Sequence, residues 1–304
     1  MELLGRTAIV TGAGGGLGRS HAMALARVGA KVAVNDVAAA SAERVAAEIR
    51  ALGGEAFGIA ASVTDEGQVT EMVDQAMAAW GRVDILVNNA GILIDRSFAK
   101  MDLASFRSVM DVHLMGAVIC TKAVWPIMRE QQYGRIVMTT SSSGLYGNFG
   151  QANYAAAKMA LVGLMQTLAL EGQKYNIRVN CLAPTAATQM TSGVLSEDAL
   201  KHFVPELVSP GLLVLVGEDG PTRAILCAGG GHFARANITM TEGVHIGEDA
   251  DAADRVTALW DQLSDRSREI VPAYGFMQAE RELRGGGRDG TGMLAAADSA
   301  ANQR

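Results

Sequence analysis

The chain has 304 residues, 49% of them hydrophobic, and its 26 Lys+Arg against 32 Asp+Glu give a net charge of −6. That length buries one sizeable α/β core, while the lack of any basic run or interleaved aromatic and basic residues leaves nucleic acid and anionic membrane surfaces without an evident docking patch. Cys120, Cys181 and Cys227 lie far apart in apolar or small-residue stretches, which predicts reduced thiols in a cytoplasmic protein, and neither a signal peptide nor a membrane-spanning apolar run is expected.

The first predicted element is a short buried strand, Thr7-Ala8-Ile9-Val10, followed by the turn Thr11-Gly12-Ala13-Gly14-Gly15-Gly16-Leu17-Gly18 and an alanine-rich helix over 19–28. Strand, glycine turn and helix suit a pyrophosphate. The backbone must approach it closely, which a Cβ would obstruct, and the helix N-terminus offers free N–H groups and the positive end of its dipole. Gly12, Gly16 and Gly18 carry that role. A second strand over 31–36 ends in Asp36, about 20 residues past the glycines, where a carboxylate accepts hydrogen bonds from the adenosine ribose. Asp36 therefore favours NAD: a 2′-phosphate would be repelled, and neither Gly15 nor Val37 supplies a compensating cation. The alternative is that Asp36 only caps the next helix.

Helices over 41–52 and 66–80 alternate with strands over 56–60 and 85–87. A helix over 103–128, bent or ended near Pro126, precedes a strand over 135–140, a helix over 154–171, a strand over 177–182 and a last strand near 224–228. The alternation predicts an α/β fold, a Rossmann doubly wound parallel sheet of seven strands with helices on both faces. Residues 186–213 mix Thr, Ser and Pro with apolar side chains, as a mobile flap over a pocket does, and Met190 is a candidate to line that pocket. Amphipathic helices over 250–263 and 267–281 extend the domain. Residues 1–283 are thus read as one catalytic domain, and 284–304 as a disordered tail.

Tyr154 and Lys158, four positions apart, share one helix face, and Ser141 stands thirteen positions upstream. A positive charge beside a phenol lowers its pKa from about 10 towards the range useful for exchanging a proton with an alcohol. His21, His202, His232 and His245 show no ligand spacing, so no metal is expected.

With Gly12-(x)3-Gly16-Leu17-Gly18, Asn88-Asn89-Ala90-Gly91, Ser141 and Tyr154-(x)3-Lys158 in order, the chain resembles the short-chain dehydrogenase/reductases over about residues 5–245. Within that family, Tyr133-Gly134-Arg135-Ile136-Val137-Met138, Val112-His113-Leu114-Met115-Gly116, Trp125-Pro126 and the run from Ser143 to Tyr154 are similar to the (3R)-hydroxyacyl-CoA dehydrogenase domain of peroxisomal multifunctional enzymes. That domain is expected to stand alone here. The resemblance implies that Tyr154 is the catalytic acid/base, that Lys158 binds the nicotinamide ribose and depresses the tyrosine pKa, and that Ser141 holds the substrate oxygen, with Ser142 and Ser143 as competing hydroxyls. It implies that Asn89, Ala90 and Gly91 close the adenosine side, that Val63 and Asp65 frame the adenine, and that Pro184 to Thr188 reach the nicotinamide amide and pyrophosphate. His113 stands where the family usually has an asparagine, either relaying protons or packed neutral against backbone. Pro184-Thr185 replaces the usual Pro-Gly. The implied substrate is a small-molecule acyl-CoA or steroid, and the implied assembly a homodimer or homotetramer.

Overall fold

Short β-branched runs closed by glycine turns build a sheet whose faces alternate residue by residue. The computed structural model describes residues 2–187, 197–248 and 250–288. Its elements in chain order are β1 (Thr7–Val10), α1 (Gly16–Arg27), β2 (Lys31–Asp36), α2 (Ala39–Ala51), β3 (Ala56–Ala60), α3 (Glu66–Trp80), β4 (Ile85–Asn88), α4 (Leu103–Met110), α5 (Gly116–Gln131), β5 (Gly134–Thr139), α6 (Ser142–Tyr146), α7 (Ala152–Gly172), β6 (Ile177–Thr185), α8 (Glu197–His202), α9 (Ser209–Val216), β7 (Ile225–Gly229) and β8 (His232–Ala236). The sheet order is β3-β2-β1-β4-β5-β6-β7-β8. Alternation along the strands splits the core: Ala8, Val10, Val32, Val34 and Val87 pack beneath α1, α2 and α9, whereas Ile9, Ala33, Leu86, Ile136 and Met138 pack with α3, α5 and α7. Strand order reverses between β1 and β4, which opens a crevice at their carboxyl ends.

The sheet is the expected Rossmann doubly wound one, with eight strands rather than seven. β8 returns antiparallel to β7 through Gly230 and Gly231, both at positive φ (57° and 76°), the conformation a two-residue hairpin needs to match strand twist.

The helical run over 103–131 is interrupted earlier than expected. A π-helical turn, Asp111–Met115, separates α4 from α5, whereas α5 continues through Pro126 to Gln131. Proline removes one helical bond, but Pro126 and Lys122 both lie on the exposed side, where water takes the freed carbonyl. Among the described residues this run alone is long and apolar enough by length and composition to cross a bilayer; it packs on the sheet through Ala117, Cys120, Val124 and Met128. The expected flap also changes character at its end. Leu212, Leu215 and Val216 of α9 are buried, so residues 209–213 belong to the core, while Thr188 and Met190 lie outside the described residues.

The chain divides into two compact units, Met1–Ala236 and Asn237–Arg304. The second holds α10 (Ala252–Ala258), α11 (Trp260–Leu263) and α12 (Met277–Gly285), with Met240 bridged antiparallel to Ile270. Residues 284–285 thus continue a helix, and residues 289–304 of the expected tail lie outside the described residues.

Candidate active site

The glycine turn lies over the carboxyl end of β1. Gly12 has φ 61°, and a Cβ there would come within 2.7 Å of Ala90 Cα; at Gly18 it would meet Gly12 O at 2.3 Å. Glycine is required at both positions for close packing against the loop after β4. That loop braces the turn: Asn89 Nδ2 donates to Thr11 O and Gly12 O (2.9 and 3.1 Å), and the Asn89 and Ala90 amides donate to Thr11 Oγ1. Gly15, the N-cap of α1, supplies no side-chain acceptor to the first turn, and a Cβ on it would meet nothing within 4 Å. Free donors facing open space at a helix N-terminus suit a pyrophosphate.

A cleft of about 710 Å³ runs from this turn along the carboxyl ends of the strands; its lining includes Gly12, Gly16, Leu17, Gly18, Asp36, Val63, Asn89, Ala90, Gly91, His113, Tyr154, Lys158 and Pro184. That volume suits a drug-sized or dinucleotide ligand. Asp36 Oδ2 accepts from Gly14 N at 3.0 Å and Oδ1 from Ala38 N at 3.1 Å, leaving lone pairs for a ribose. Asp65 turns elsewhere: its carboxylate caps α3, taking Gln68 N and Gln68 Nε2 at 3.0 Å each, and Ser62, Val63 and Thr64 line the cleft instead. The sequence reading also missed Arg44, which lines the cleft beside Asp36 and Ser41 and donates to Gly14 O at 2.7 Å. Its signal was a cation one turn into the helix that follows the acid, rather than next to it.

At the other end of the cleft, α7 carries Tyr154 and Lys158 on one face. Lys158 is buried, its Nζ donates to Thr139 O at 2.5 Å, and its backbone carbonyl accepts from Thr140 Oγ1 at 2.6 Å. Gly144 permits this packing, since a Cβ there would lie 2.8 Å from Lys158 Cβ. Nζ stands 5.5 Å from the Tyr154 ring centroid. Burial pulls the Lys158 ammonium down to about 7. Tyr154 departs from the sequence-based expectation: burial raises its pKa, a hydrogen bond with Ser141 lowers it in part, and the charge of Asp95 raises it again. Without coenzyme the phenol is therefore a proton holder, because desolvation penalises its anion more than its neighbours favour it.

Ser141 is buried at the N-cap of α6 and accepts from Ser143 N at 3.2 Å. Ser143 Oγ is committed to Gln151 Oε1 at 2.7 Å, which takes it out of competition with Ser141. His113 is set by the π-helical turn. Its ring is edge-on to Tyr154, with centroids 5.1 Å apart; Nε2 lies 2.7 Å from Ile92 O and 3.1 Å from Ile92 N, and Nδ1 is buried without a partner. Burial, with Lys158 nearby, pulls its pKa down to about 3, so the imidazole is neutral at physiological pH. Residue 188 cannot be placed against Pro184, since it lies outside the described residues.

The family model described as short chain dehydrogenase matches residues 6–199. A short-chain type dehydrogenase/reductase of Mycobacterium tuberculosis is 44% identical over 279 residues, covering 88% of this chain and 97% of that one. The structure of full-length peroxisomal multifunctional enzyme type 2 from Drosophila melanogaster aligns with TM-score 0.79 and 36% identity over 93% of this chain. This chain spans only 49% of that enzyme. A 7α-hydroxysteroid dehydrogenase solved with NADH and 7-oxo glycochenodeoxycholic acid aligns with TM-score 0.70 and 32% identity, covering 76% of this chain and 95% of that one. With the nucleotide turn, the tyrosine and the lysine lining one cleft and the serine bonded to the tyrosine, the chain belongs to the short-chain dehydrogenase/reductase family, oxidoreductases acting on CH–OH groups.

Proposed function

We propose that this protein oxidises a (3R)-hydroxyacyl-CoA to the 3-oxoacyl-CoA with NAD, its acyl chain fatty or steroid-derived. The observation that carries the chemistry is that Tyr154 and Lys158 line the end of a cleft that begins at the glycine turn, with Ser141 hydrogen-bonded to Tyr154. The substrate class rests on similarity to the multifunctional enzyme over 93% of this chain and on the resemblance of the run from Ser143 to Tyr154. The residues lining the cleft from Gly12 to Lys158 would hold NAD, which would supply the hydride acceptor for the carbinol carbon. Ser141 Oγ, already accepting from Ser143 N, keeps its own proton to donate to the substrate oxygen and steadies charge developing there. Tyr154 takes the alcohol proton in oxidation and returns it in reduction. Lys158 holds a positive charge behind the phenol, which favours the phenolate only while the lysine is itself protonated.

A second reading, a hydroxysteroid dehydrogenase, is favoured by the alignment with an enzyme holding a bile-acid ketone. A coupled absorbance assay of NAD reduction with paired R and S hydroxyacyl-CoA thioesters and a hydroxysteroid separates the two. Turnover of the R thioester with NAD is expected; activity confined to the steroid, to S thioesters or to NADP overturns the proposal.

A further inference from the structure

Gln151 stands at the N-cap of α7, yet its side chain does not cap that helix. It is 7% exposed, and all its amide bonds run elsewhere. Oε1 accepts from Ser143 Oγ at 2.7 Å and from Asn148 Nδ2 at 3.1 Å, and Nε2 donates to Asp95 Oδ2 at 2.8 Å. Because a carboxylate only accepts, Asp95 fixes which end of the amide faces it. The result is a path from the loop after β4 to the active serine: Asp95 to Gln151 to the Ser143 hydroxyl by hydrogen bonds, then from the Ser143 amide to Ser141 Oγ. The same two loops are joined by Arg96 N to Gly150 O at 2.9 Å and by Asn153 Nδ2 to Ile94 O at 3.0 Å.

We propose that Gln151 is a positioning residue of the proton-transfer site, tying the Asp95 carboxylate to the Ser141–Ser143 turn so that Ser141 Oγ is held as an acceptor of Ser143 N–H with its proton directed at the reacting oxygen. The proposal rests on the reading of Tyr154 as the proton-transfer group. Gln151 acts through Ser141 and Asp95 and does not itself touch substrate. The tie also keeps a negative charge near the phenol, where it opposes phenolate formation. The other groups facing Tyr154 are Lys158 on α7 and neutral His113 on the π-helical turn, and Arg96 is the cation next to Asp95 in sequence.

The test combines a substrate-free readout with turnover. Ultraviolet difference titration of the full chain against its Tyr154→Phe variant isolates the Tyr154 phenol. Asp95→Asn, at an exposed position with little risk to folding, is expected to lower the pH at which that phenol ionises, and Gln151→Ala to lower it likewise by releasing the carboxylate to solvent. In turnover, Gln151→Ala is expected to lower kcat about tenfold, one network hydrogen bond's worth, with the KM for NAD unchanged. Gln151→Glu gives a signature that a packing role would not. A protonated Glu donates to Asp95 as the amide did, so kcat recovers at low pH and falls as the new acid pair ionises. An unmoved phenol titration in Asp95→Asn, or a pH-independent loss in Gln151→Glu, overturns the proposal. Failure of every substrate would instead count against the proposed function, since the phenol titration needs none.

Discussion

Lys158 is the residue whose environment most contradicts its charge. Burial pulls it from 10.5 to about 7, so between about pH 7 and 10.5 the unfolded chain binds a proton that the folded chain gives up, and stability rises with pH through that window. Below pH 7 the full cost of burying the ammonium is present. Lys158→Met is therefore expected to melt higher than the wild type in coenzyme-free thermal scans at pH 6–8, with the gain shrinking towards pH 10.5, while turnover is lost. An unchanged or lower melting temperature at pH 7 would show that the lysine's bond to Thr139 O outweighs its desolvation. The tyrosine–lysine face was legible in the sequence because helical spacing alone puts the two side chains together. The direction of the tyrosine's shift was not, because desolvation depends on what encloses the ring, and spacing says nothing about that.

At the scale of elements, the π-helical turn is what delivers His113 to the site. The extra residue per turn rotates the imidazole against Gly91, where an added Cβ would fall 2.2 Å from His113 Cε1. Gly91→Ala should therefore push the ring away from Tyr154 and cost kcat about 100-fold, roughly the penalty for misplacing a group by an ångström near the chemistry. NAD affinity, measured by quenching of protein fluorescence, is expected to fall less. Equal kcat in the variant would mean that the His113 contact has no part in catalysis. Pro126 is the residue that spells a helix break, yet its exposed carbonyl partner makes it harmless, whereas nothing in Asp111 to Met115 marks a π turn. The β7–β8 hairpin was more readable: Gly230-Gly231 is a turn signal of the right length. What hides the second strand is that His232 to Ala236 lacks the apolar alternation of a strand, and in the fold it is largely exposed. Asp65 is ambiguous for a related reason, since an acid ahead of a helix serves as a cap or a ligand contact with the same spelling, and the fold makes it a cap.

For the whole molecule, two buried histidines set the acid limit. His21 is fully buried, bonded through Nδ1 to Ser209 Oγ at 2.9 Å, and like His113 it is pulled from 6.5 to about 3 by burial. As pH falls below 6.5 the unfolded chain takes up two protons that the folded chain refuses, so stability is expected to fall by up to roughly 2.7 kcal/mol per pH unit from these groups. Urea unfolding at pH 7, 6 and 5 checks this, with His21→Gln expected to halve the histidine contribution and an unaltered slope refuting it. The assembly implied by the family also belongs at this scale. Leu103, Met115, Met159 and Leu170 are exposed on α4, the π-helical turn and α7, and we propose these helices as the contact of a homo-oligomer, to be tested by sedimentation of the full chain.

Local chemistry in the sequence determined the alternation of strands and helices, the glycine turn, the acid after β2 and the tyrosine–lysine face, because each depends on neighbours within a few residues. Tertiary structure decided what depends on distant segments meeting in a low-dielectric cleft. It set Arg44 beside Asp36, returned Asp65 to its own helix, joined Asp95 to Ser141 through Gln151, and used burial to move the ionisation of Tyr154, Lys158 and His113.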